Sequence, residues 1–289
     1  MTRVAIIGPG AIGGTIAIWL ANAGVDVTLC SRTGLGELHL ITPYDEYRAA
    51  PHILLPGEDG RGAVDFVFVT TKTYDAAGAA AWFPVLVDNM TRVAILQNGV
   101  EHVERFSDFL PEDQIIPVVV DIPAERKAVG EYFNRDRGKL TLKAQPKGEE
   151  IKSLFLGAPV DVELVSDFKS AAWRKLALNS AGAVSALTLK PASIVNHPSA
   201  ERIMRHLIAE CVQIGIAEGA ELDMSIVEQV IDRYRTDSPE GINSLHADRL
   251  AGRAMEVDAR HGVIVRLGQR HGIATPVNAL VAALLEAST

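Results

Sequence analysis

Apolar and polar positions follow one pattern in the first half of the chain and another in the second. Short apolar stretches in the first half predict strands, and the unbroken run at residues 3–8 is typical of a strand buried on both faces of a sheet. The predicted strands span residues 3–8, 25–32, 64–70, 92–97 and 114–120. Helical spacing over residues 11–24, and further helical segments between the later strands, predict parallel pairing with right-handed crossovers.

Two further stretches complete the first half. Residues 33–63 are rich in glycine, proline and polar residues with weak periodicity, so they are predicted to be irregular or to contain a short helix. The segments EYFN (131–134) and KLTLK (139–143), joined by RDRG, predict a hairpin that closes this half.

From about Ser166 the pattern changes to long amphipathic helices. They are predicted at residues 167–188, 199–219, 223–235, 244–271 and 276–287, with a break in the fourth near Gly252. The sequence therefore predicts an α/β fold with two domains and a cleft between them. The first is a Rossmann-type domain with a doubly wound parallel sheet (residues 1–165), and the second is an all-helical C-terminal domain (166–289).

An uncharged run between Arg3 and Asp26 is long enough to span a bilayer. Glycines and a proline interrupt it at positions 8–10 and 13–14. The run also lacks the basic start, continuous apolar core and cleavage site of a signal peptide. The protein is therefore predicted to be soluble and cytoplasmic, with no membrane partner.

Composition excludes several classes of function. The 289-residue chain has a formal net charge of −8, whereas nucleic-acid binders normally carry a basic face. Its two cysteines, Cys30 and Cys211, lack CxxC spacing and predict a reducing compartment, without a disulfide framework or a zinc site. The eight histidines show no HExxH or other paired-ligand spacing, so no metal site is predicted.

The stretch GPGAIGG (8–14) follows a predicted strand and opens a predicted helix, the context in which GxGxxG indicates a dinucleotide site. Gly8 would permit a tight turn, Gly10 the close approach of a pyrophosphate, and Gly13 the packing of helix on strand. The diphosphate would face unpaired amides at the helix N-terminus. The predicted cofactor contacts are Gly8, Gly10, Ala11, Ile12 and Gly13; a glycine-rich structural turn is the alternative.

The end of the second predicted strand, CSRT (30–33), bears on the choice of cofactor. An NAD site usually places an Asp or Glu here to bind the ribose hydroxyls. A guanidinium and two hydroxyls suit a 2′-phosphate instead. Arg32 therefore predicts NADP(H), although an ordinary surface arginine would fit the same pattern.

In the predicted helix WRKLALNSAGAVSAL (173–187), Lys175 and Asn179 lie one turn apart beside a buried apolar stripe. Reduction of a ketone by hydride builds negative charge on its oxygen, so the protein must supply a positioned acid. Desolvation would lower the pKa of Lys175 from its ordinary value of about 10.4 towards working pH. The alternative is a surface lysine whose stem covers apolar neighbours.

Glu256 stands at the head of a row of apolar side chains in the predicted helix that contains AMEVDARHGVIVRLG (254–268). A carboxylate in such a place is costly unless a cation or a hydrogen-bond donor meets it. Glu256 is therefore predicted to face Lys175 or a substrate hydroxyl. The alternative is a helix-start glutamate that interacts with the helix dipole.

These motifs, in their order and spacing, resemble the ketopantoate reductase (2-dehydropantoate 2-reductase) family over nearly the full chain. The matching stretches are GPGAIGG, VTTKTYDA with Lys72, LQNGV with Asn98, KLALN with Lys175 and Asn179, NSLHADRLAGRAMEVD with Ser244, Asp248 and Glu256, and RLGQRHGIATPVN. The resemblance implies NADPH-dependent reduction of 2-dehydropantoate, a small 2-oxo acid, to pantoate in the route to pantothenate and coenzyme A.

The resemblance also implies a role for each matched residue. Lys175 would be the general acid that protonates the keto oxygen, and Glu256 would hold the substrate hydroxyl and help to orient the lysine. The implied substrate-binding residues are Asn98, Asn179, Ser244, Lys72 and Asp248, of which Lys72 and Asn98 would also lie near the cofactor.

Two departures from the family pattern bear on the substrate. The family usually repeats an asparagine one turn beyond the first, where this chain has Ala183. It also tends to carry a Thr/Gly-rich run after its fifth strand, where this chain has VVVDIPAERKAVG (118–130). Asp121 in that stretch would repel a carboxylate-bearing substrate; the alternative is that it points to solvent or caps a turn.

Two other functions therefore stay open. One is the same chemistry on a different 2-oxo acid or ketone, and the other is a non-catalytic NADP-binding sensor or interaction protein. A homodimer formed through the helical half is a candidate assembly, for which the sequence offers no specific signal.

Overall fold

The computed structural model describes residues 2–288, and their contacts divide the chain into two compact units. The sheet unit consists of the residues up to Gln97 together with His102–Ser166. The helical unit consists of Asn98–Glu101 and the residues from Asp167 onward. The four-residue segment Asn98–Glu101 therefore packs with helices that follow it by about seventy residues or more in the sequence.

The sheet unit contains three sheets and five α-helices within the described residues. Its strands are β1 (Arg3–Ile7), β2 (Asp26–Cys30), β3 (Leu38–Ile41), β4 (Glu46–Ala49), β5 (His52–Leu54), β6 (Phe66–Val69), β7 (Arg92–Ile95), β8 (Ile115–Pro117), β9 (Val119–Asp121), β10 (Ala124–Ala128), β11 (Glu131–Asn134), β12 (Gly138–Lys143) and β13 (Val160–Val165). Its helices are α1 (Ala11–Asn22), α2 (Ala76–Ala80), α3 (Phe83–Leu86), α4 (His102–Phe106) and α5 (Pro146–Leu154), with 3₁₀ turns at Thr73–Asp75 and Glu112–Gln114.

The main sheet has the strand order β5-β2-β1-β6-β7-β8, and all its pairings are parallel. Successive β1 residues face two different cores: Val4 and Ile6 pack with one, and Ala5 and Ile7 with the other. Burial on both faces explains the uninterrupted apolar run in the sequence. The predicted α/β class, with a doubly wound parallel sheet before a helical region, is confirmed.

The prediction for residues 33–63 is wrong, because this stretch contains three short strands. β3 and β4 pair antiparallel around the turn after Thr42, and β5 extends the main sheet beside β2. Most of the side chains of β4 are exposed or half-buried and polar, so the strand carries no apolar run. Backbone pairing, rather than burial of its own side chains, makes this segment a strand.

The predicted hairpin of residues 131–134 and 139–143 is also wrong. β11 pairs with β10 and β3 in a four-stranded sheet, whereas β12 pairs with β13 and β9 in a three-stranded sheet. The hairpin in this region is β10–β11, and Gly130 takes a positive φ of 77° between the two strands. Short strands carry little register information, so neighbouring runs can be assigned to the wrong partner.

The strand predicted over residues 114–120 is divided between two sheets. β8 is an edge strand of the main sheet and ends at Pro117, which has no N–H to continue a ladder. β9 then pairs antiparallel with β12 in the three-stranded sheet. The chain thus changes sheets within one apolar run.

The helical unit contains α6 (Phe168–Ala181), α7 (Ala183–Thr188), α8 (Pro198–Ala217), α9 (Ser225–Thr236), α10 (Ser244–Leu250), α11 (Val263–His271) and α12 (Pro276–Glu286). A 3₁₀ turn at Ala192–Asn196 precedes α8, and a π-helical turn at Asp258–Gly262 leads into α11. One apolar core, built on α6, α8 and α9, holds these helices together. The predicted break near Gly252 is confirmed, since α10 ends at Leu250 and Gly252 has a φ of +61°.

The helix predicted over residues 167–188 is interrupted at Gly182. Asn243 Nδ2 donates a hydrogen bond to the Gly182 carbonyl at 2.9 Å. A Cβ at Gly182 would lie 2.8 Å from that Nδ2 and 2.9 Å from the Tyr234 hydroxyl, so the close approach requires glycine. Within residues 2–288, the helices are all too short or too polar to cross a bilayer.

Candidate active site

The glycine loop between β1 and α1 is shaped by contacts of its backbone. Gly8 has a φ of +102°, a conformation that favours glycine. A Cβ at Gly13 would lie 2.0 Å from the Gly8 carbonyl oxygen and 2.3 Å from Thr70 Oγ1. Gly13 therefore permits the packing that the motif predicted, and Thr70 locks the turn by donating to the Ile7 and Gly8 carbonyls.

Gly10 differs from these two glycines, because a Cβ built on it meets no atom within 4 Å. It directly precedes α1, and its own φ and ψ (−73°, −171°) are open to any residue. Neither packing nor backbone strain requires glycine here. The open space is what the close approach of a diphosphate would need.

Tyr132 supports the loop from the four-stranded sheet, and sequence analysis missed it. Its hydroxyl donates to the Pro9 carbonyl at 3.2 Å, and a Cβ on Gly14 would lie 2.0 Å from its ring. The second glycine of the GG pair thus makes room for an aromatic ring. The unexplained glycine at position 14 was the signal available in the sequence.

Arg32 and Lys72, the predicted cationic residues of this unit, lie beyond the ends of β2 and β6. Arg32 is exposed, and its Nη2 lies 3.8 Å from Asp75 Oδ2. Lys72 is half-buried and precedes the 3₁₀ turn Thr73–Asp75. An exposed guanidinium beyond the second strand can reach a 2′-phosphate, although Asp75 would compete for it.

In the helical unit, three predicted site residues form a hydrogen-bonded row. Asn179 Nδ2 donates to Asn98 Oδ1 at 3.3 Å, and Asn98 Nδ2 donates to Glu256 Oε2 at 2.9 Å. Glu256 is 5% exposed. The predicted need of this buried carboxylate for a donor is therefore met by Asn98.

The row depends on the placement of the segment Asn98–Glu101. Arg266 Nη2 on α11 donates to Glu101 Oε2 at 2.8 Å. In the sheet unit, His102 Nε2 donates to the Gln97 carbonyl at 3.0 Å. Burial lowers the pKa of His102 to about 4, so its ring is neutral at physiological pH. Both ends of the segment are therefore fixed.

Lys175 lies on α6 four residues before Asn179, so the two side chains share one helix face. The Lys175 side chain is half-buried, between the buried residues Trp173 and Leu176. The packing of α6 against α8 fixes the direction of that face. The helix thus presents an amine and an amide on the same side of the unit.

Glu256 itself does not lie within a helix. It precedes the π-helical turn Asp258–Gly262, and the helix starts at Val257. The apolar row that follows Glu256 in the sequence is buried, and it consists of Ala259, Val263 and Leu267. Glu256 is therefore a helix-start residue, and the Asn98 side chain that donates to its carboxylate comes from another segment.

The remaining predicted residues of the helical unit, Ser244 and Asp248, lie on α10. Ser244 Oγ accepts a hydrogen bond of 2.7 Å from Arg260 Nη2. Buried Asp248 accepts a hydrogen bond of 2.9 Å from Arg253 Nε. Sequence analysis missed Arg260, although it follows Glu256 by four residues, a spacing typical of helical ion pairs.

Polar groups also brace the backbone of α6. The Tyr234 hydroxyl donates to the Leu178 carbonyl at 3.1 Å. Burial raises the pKa of Tyr234 to about 12, so the hydroxyl keeps its proton. Asn179 therefore follows a residue whose carbonyl is held from outside the helix.

The two positions that depart from the family pattern, Ala183 and Asp121, differ in burial and lie in different units. Ala183 is fully buried at the start of α7, so its position offers no polar group to a ligand. Asp121 is half-buried at the end of β9, opposite Lys139 of β12. In residues 2–288, His, Cys, Asp and Glu form no group of three that could hold a metal ion.

Sequence models of two known domains match the chain. The model described as "Ketopantoate reductase PanE/ApbA" matches residues 4–147. The model described as "Ketopantoate reductase PanE/ApbA C terminal" matches residues 167–289.

Individual proteins are similar over the same length. The 2-dehydropantoate 2-reductase of Caulobacter vibrioides is 50% identical over 289 residues, which cover 100% of this chain and 99% of that protein. The 2-dehydropantoate 2-reductase of Mycobacterium tuberculosis is 33% identical, over 100% and 98% of the two chains. A solved PanE/ApbA family ketopantoate reductase from Ralstonia eutropha superposes with a TM-score of 0.90 at 31% identity, over 99% and 98% of the chains.

Proposed function

The chain belongs to the ketopantoate reductase family, and from this premise we propose that it reduces 2-dehydropantoate to pantoate with NADPH. The observation that carries the proposal is the row Asn179–Asn98–Glu256 beside Lys175 in the helical unit. Amide and carboxylate groups beside an amine suit a substrate with a carboxylate, a ketone and a hydroxyl. We propose the domain roles accordingly: cofactor binding for residues 1–165 and substrate binding and catalysis for residues 166–289.

The glycine loop fits a dinucleotide. Open space at Gly10, a tight turn at Gly8 and free amides at the start of α1 suit a diphosphate. Arg32 would hold the 2′-phosphate of NADPH, and Lys72 and Asn98 would lie near the rest of the cofactor. Bound NADPH would supply the hydride. The protein's own residues must then supply the proton.

Lys175 is the proposed general acid. Its Nζ would donate a proton to the keto oxygen as negative charge develops there, and the amine would regain a proton from solvent. The Lys175 side chain is half-buried, and it shares its helix face with Asn179 of the hydrogen-bonded row.

Glu256 and the two asparagines would orient the substrate. Asn98 Nδ2 donates to one oxygen of Glu256. A carboxylate has about four acceptor sites, so Glu256 would accept from the substrate hydroxyl as well. The fixed order of donors along the row means that little reorganisation is needed when the substrate binds. Ser244 and Asp248 on α10 would also bind the substrate.

A second candidate function keeps this chemistry and changes the substrate. Ala183 removes one polar contact that the family usually has, and Asp121 adds a carboxylate in a stretch that departs from the family. Both changes favour a 2-oxo acid or ketone other than 2-dehydropantoate. Cytoplasmic location and a homodimer stay predictions; a light-scattering mass of the purified protein tests the second.

Following NADPH oxidation with 2-dehydropantoate and a panel of small 2-oxo acids tests the proposal. Robust turnover of 2-dehydropantoate supports it, and turnover of another acid alone favours the second candidate. If NADPH binds and no acid is turned over, the protein is a cofactor sensor instead. NADH in place of NADPH provides the cofactor control.

A further inference from the structure

A buried guanidinium lies behind an exposed hydroxyl in the helical unit. Arg260 is 2% exposed, and its Nη2 donates to Ser244 Oγ at 2.7 Å. Ser244, the first residue of α10, is itself exposed. Arg260 lies in the π-helical turn Asp258–Gly262, an irregularity that is frequent at functional sites.

The hydrogen bonds of Arg260 are incomplete for a purely structural residue. Buried charged groups are ordinarily paired and saturated with hydrogen bonds. Nε of Arg260 is buried without a hydrogen-bond partner anywhere in residues 2–288. Burial lowers the pKa of Arg260, while the charges of Glu256 and Asp248 oppose that shift. The charges of these two carboxylates of the candidate site therefore favour the protonated guanidinium.

The chemistry of the pair fixes the role of the serine. A guanidinium has five N–H donors and no acceptor, so Ser244 Oγ must accept from Arg260. The single hydrogen of the hydroxyl is then left to donate elsewhere. A donor polarised by a neighbouring cation bonds best to an anionic oxygen.

We propose that Arg260 is a positioning residue, which directs the Ser244 hydroxyl to the carboxylate of a 2-oxo acid and offsets the charge of Glu256. The inference rests on the proposed function for its substrate class. There, Lys175 serves the keto oxygen and Glu256 the hydroxyl, so the carboxylate is the group that still needs a donor. An anion beside Glu256 would be repelled without a compensating cation.

The test compares an acid with a neutral ketone of the same skeleton. We would measure kcat and KM for 2-dehydropantoate and for its lactone, which keeps the ketone and lacks the carboxylate. The variants are Arg260→Met, Arg260→Lys, Ser244→Ala and the double variant Arg260→Met/Ser244→Ala. Arg270→Met, which removes an exposed arginine at the end of α11, is the matched control.

Arg260→Met should lower kcat/KM for the acid by about 10- to 100-fold, the usual effect of losing a hydrogen bond to a charged group, and mainly through KM. The kcat/KM of Arg260→Met for the lactone should stay close to the wild-type value. Arg260→Lys should recover part of the kcat/KM that Arg260→Met loses for the acid. In the Ser244→Ala background, Arg260→Met should add little, because the two residues act as one unit. Equal losses for acid and lactone, or additive losses in the double variant, would overturn the inference.

Two further outcomes separate the inference from the proposed function. If Arg260→Met does not fold by circular dichroism, the acid-to-lactone ratio in Ser244→Ala decides: a selective loss for the acid supports the inference, and an unchanged ratio overturns it. If the wild type turns over neither compound, the proposed function fails. In that case, calorimetric titration of pantoate in the presence of NADP⁺ tests the inference about Arg260. The inference requires that pantoate binds tightly to the wild type and more weakly to Arg260→Lys and Ser244→Ala.

Discussion

The two candidate binding regions of the molecule are built in opposite ways. In the sheet unit, the glycine loop is one contiguous segment, residues 8–14, and the groups that it offers are backbone amides. In the helical unit, the polar cluster is built from side chains far apart in the chain: Asn179, Asn98 and Glu256 form one hydrogen-bonded set, and Arg260 and Ser244 form another. The loop is therefore sensitive to an added Cβ, whereas the cluster is sensitive to the loss of a functional group.

This difference makes the two regions separable by mutation. A change at Lys175 in the helical unit should alter turnover and leave cofactor binding intact. A change in the loop should weaken cofactor binding and leave the cluster intact. Four variants, in order of decreasing expected effect, test this separation.

Lys175→Ala should have the largest effect. Loss of a general acid typically costs about 10²–10⁴ in turnover, so kcat should fall by that factor while the Kd of NADPH stays at the wild-type value. Stopped-flow absorbance measures the rate, and fluorescence titration measures NADPH binding. Lys169→Ala, an exposed lysine on the same helix, is the control and should retain full activity. Wild-type turnover by Lys175→Ala would contradict the assignment of Lys175 as the general acid.

Gly10→Ala should weaken NADPH binding and leave the polar cluster of the helical unit intact. A Cβ there meets no protein atom, so the free energy of unfolding of the apoprotein should not fall. The Kd of NADPH should rise by about tenfold or more, because the methyl group displaces a charge-assisted hydrogen bond. Gly34→Ala, which also has open space around its Cβ, is the control.

Gly13→Ala sharpens this test within the same loop. Its Cβ would overlap the Gly8 carbonyl, so this variant should lose about 1–3 kcal/mol of unfolding free energy as well as affinity. Chemical denaturation distinguishes the two loop variants. If Gly10→Ala bound NADPH with wild-type affinity, the loop would be a structural turn rather than a cofactor site.

Arg32→Ala should have a smaller and more selective effect. The side chain is exposed, so its loss should raise the Kd of NADPH by only about tenfold and leave that of NADH unchanged. Removing the competing carboxylate in Asp75→Asn should slightly strengthen NADPH binding. Equal effects of Arg32→Ala on both cofactors would argue against a 2′-phosphate contact.

The smallest effect concerns stability rather than activity. His261 is fully buried, its Nδ1 lies 2.8 Å from Asn278 Oδ1, and burial lowers its pKa from 6.5 to about 4. Its neutral form is thus favoured in the folded state, while the unfolded chain binds a proton below about pH 6.5. The stability contributed by this residue is complete above pH 6.5 and is lost as the pH falls towards 4, at up to about 1.4 kcal/mol per pH unit.

Urea unfolding at pH 7, 6 and 5 measures this dependence. His261→Leu should show a shallower fall in the free energy of unfolding than the wild type. His206→Leu, an exposed histidine on α8, should keep the wild-type slope. Equal slopes for His261→Leu and the wild type would mean that His261 is protonated in the folded protein.

The fold could be predicted where burial imposes a regular pattern. Continuous apolar runs at β1, β6 and β7 and the helical spacing of α8 and α12 led to correct elements, because both follow from burial on defined faces. β4, by contrast, is held by its neighbour's backbone and exposes polar side chains. Backbone pairing leaves no side-chain pattern, so this strand could not be found.

The candidate site could be predicted only in part, and for a related reason. Lys175 and Asn179 are paired by one helical turn, so local spacing places them together. The contact between Asn98 and Glu256 spans 158 positions, and only the resemblance to a family brought those residues into one site. Arg260 was missed, because its four-residue spacing from Glu256 does not show that the guanidinium turns inward to Ser244.

The sequence by itself determined the local features: the glycine loop, the strand and helix types, and the polar residues that stand out against apolar helices. These follow from backbone sterics and from the periodic burial of neighbouring residues. Only the tertiary structure decided which strands pair, that residues 98–101 join the helical unit, and that Asn98 donates to Glu256. Those choices depend on packing between segments far apart in the chain, where no short-range pattern records the partner.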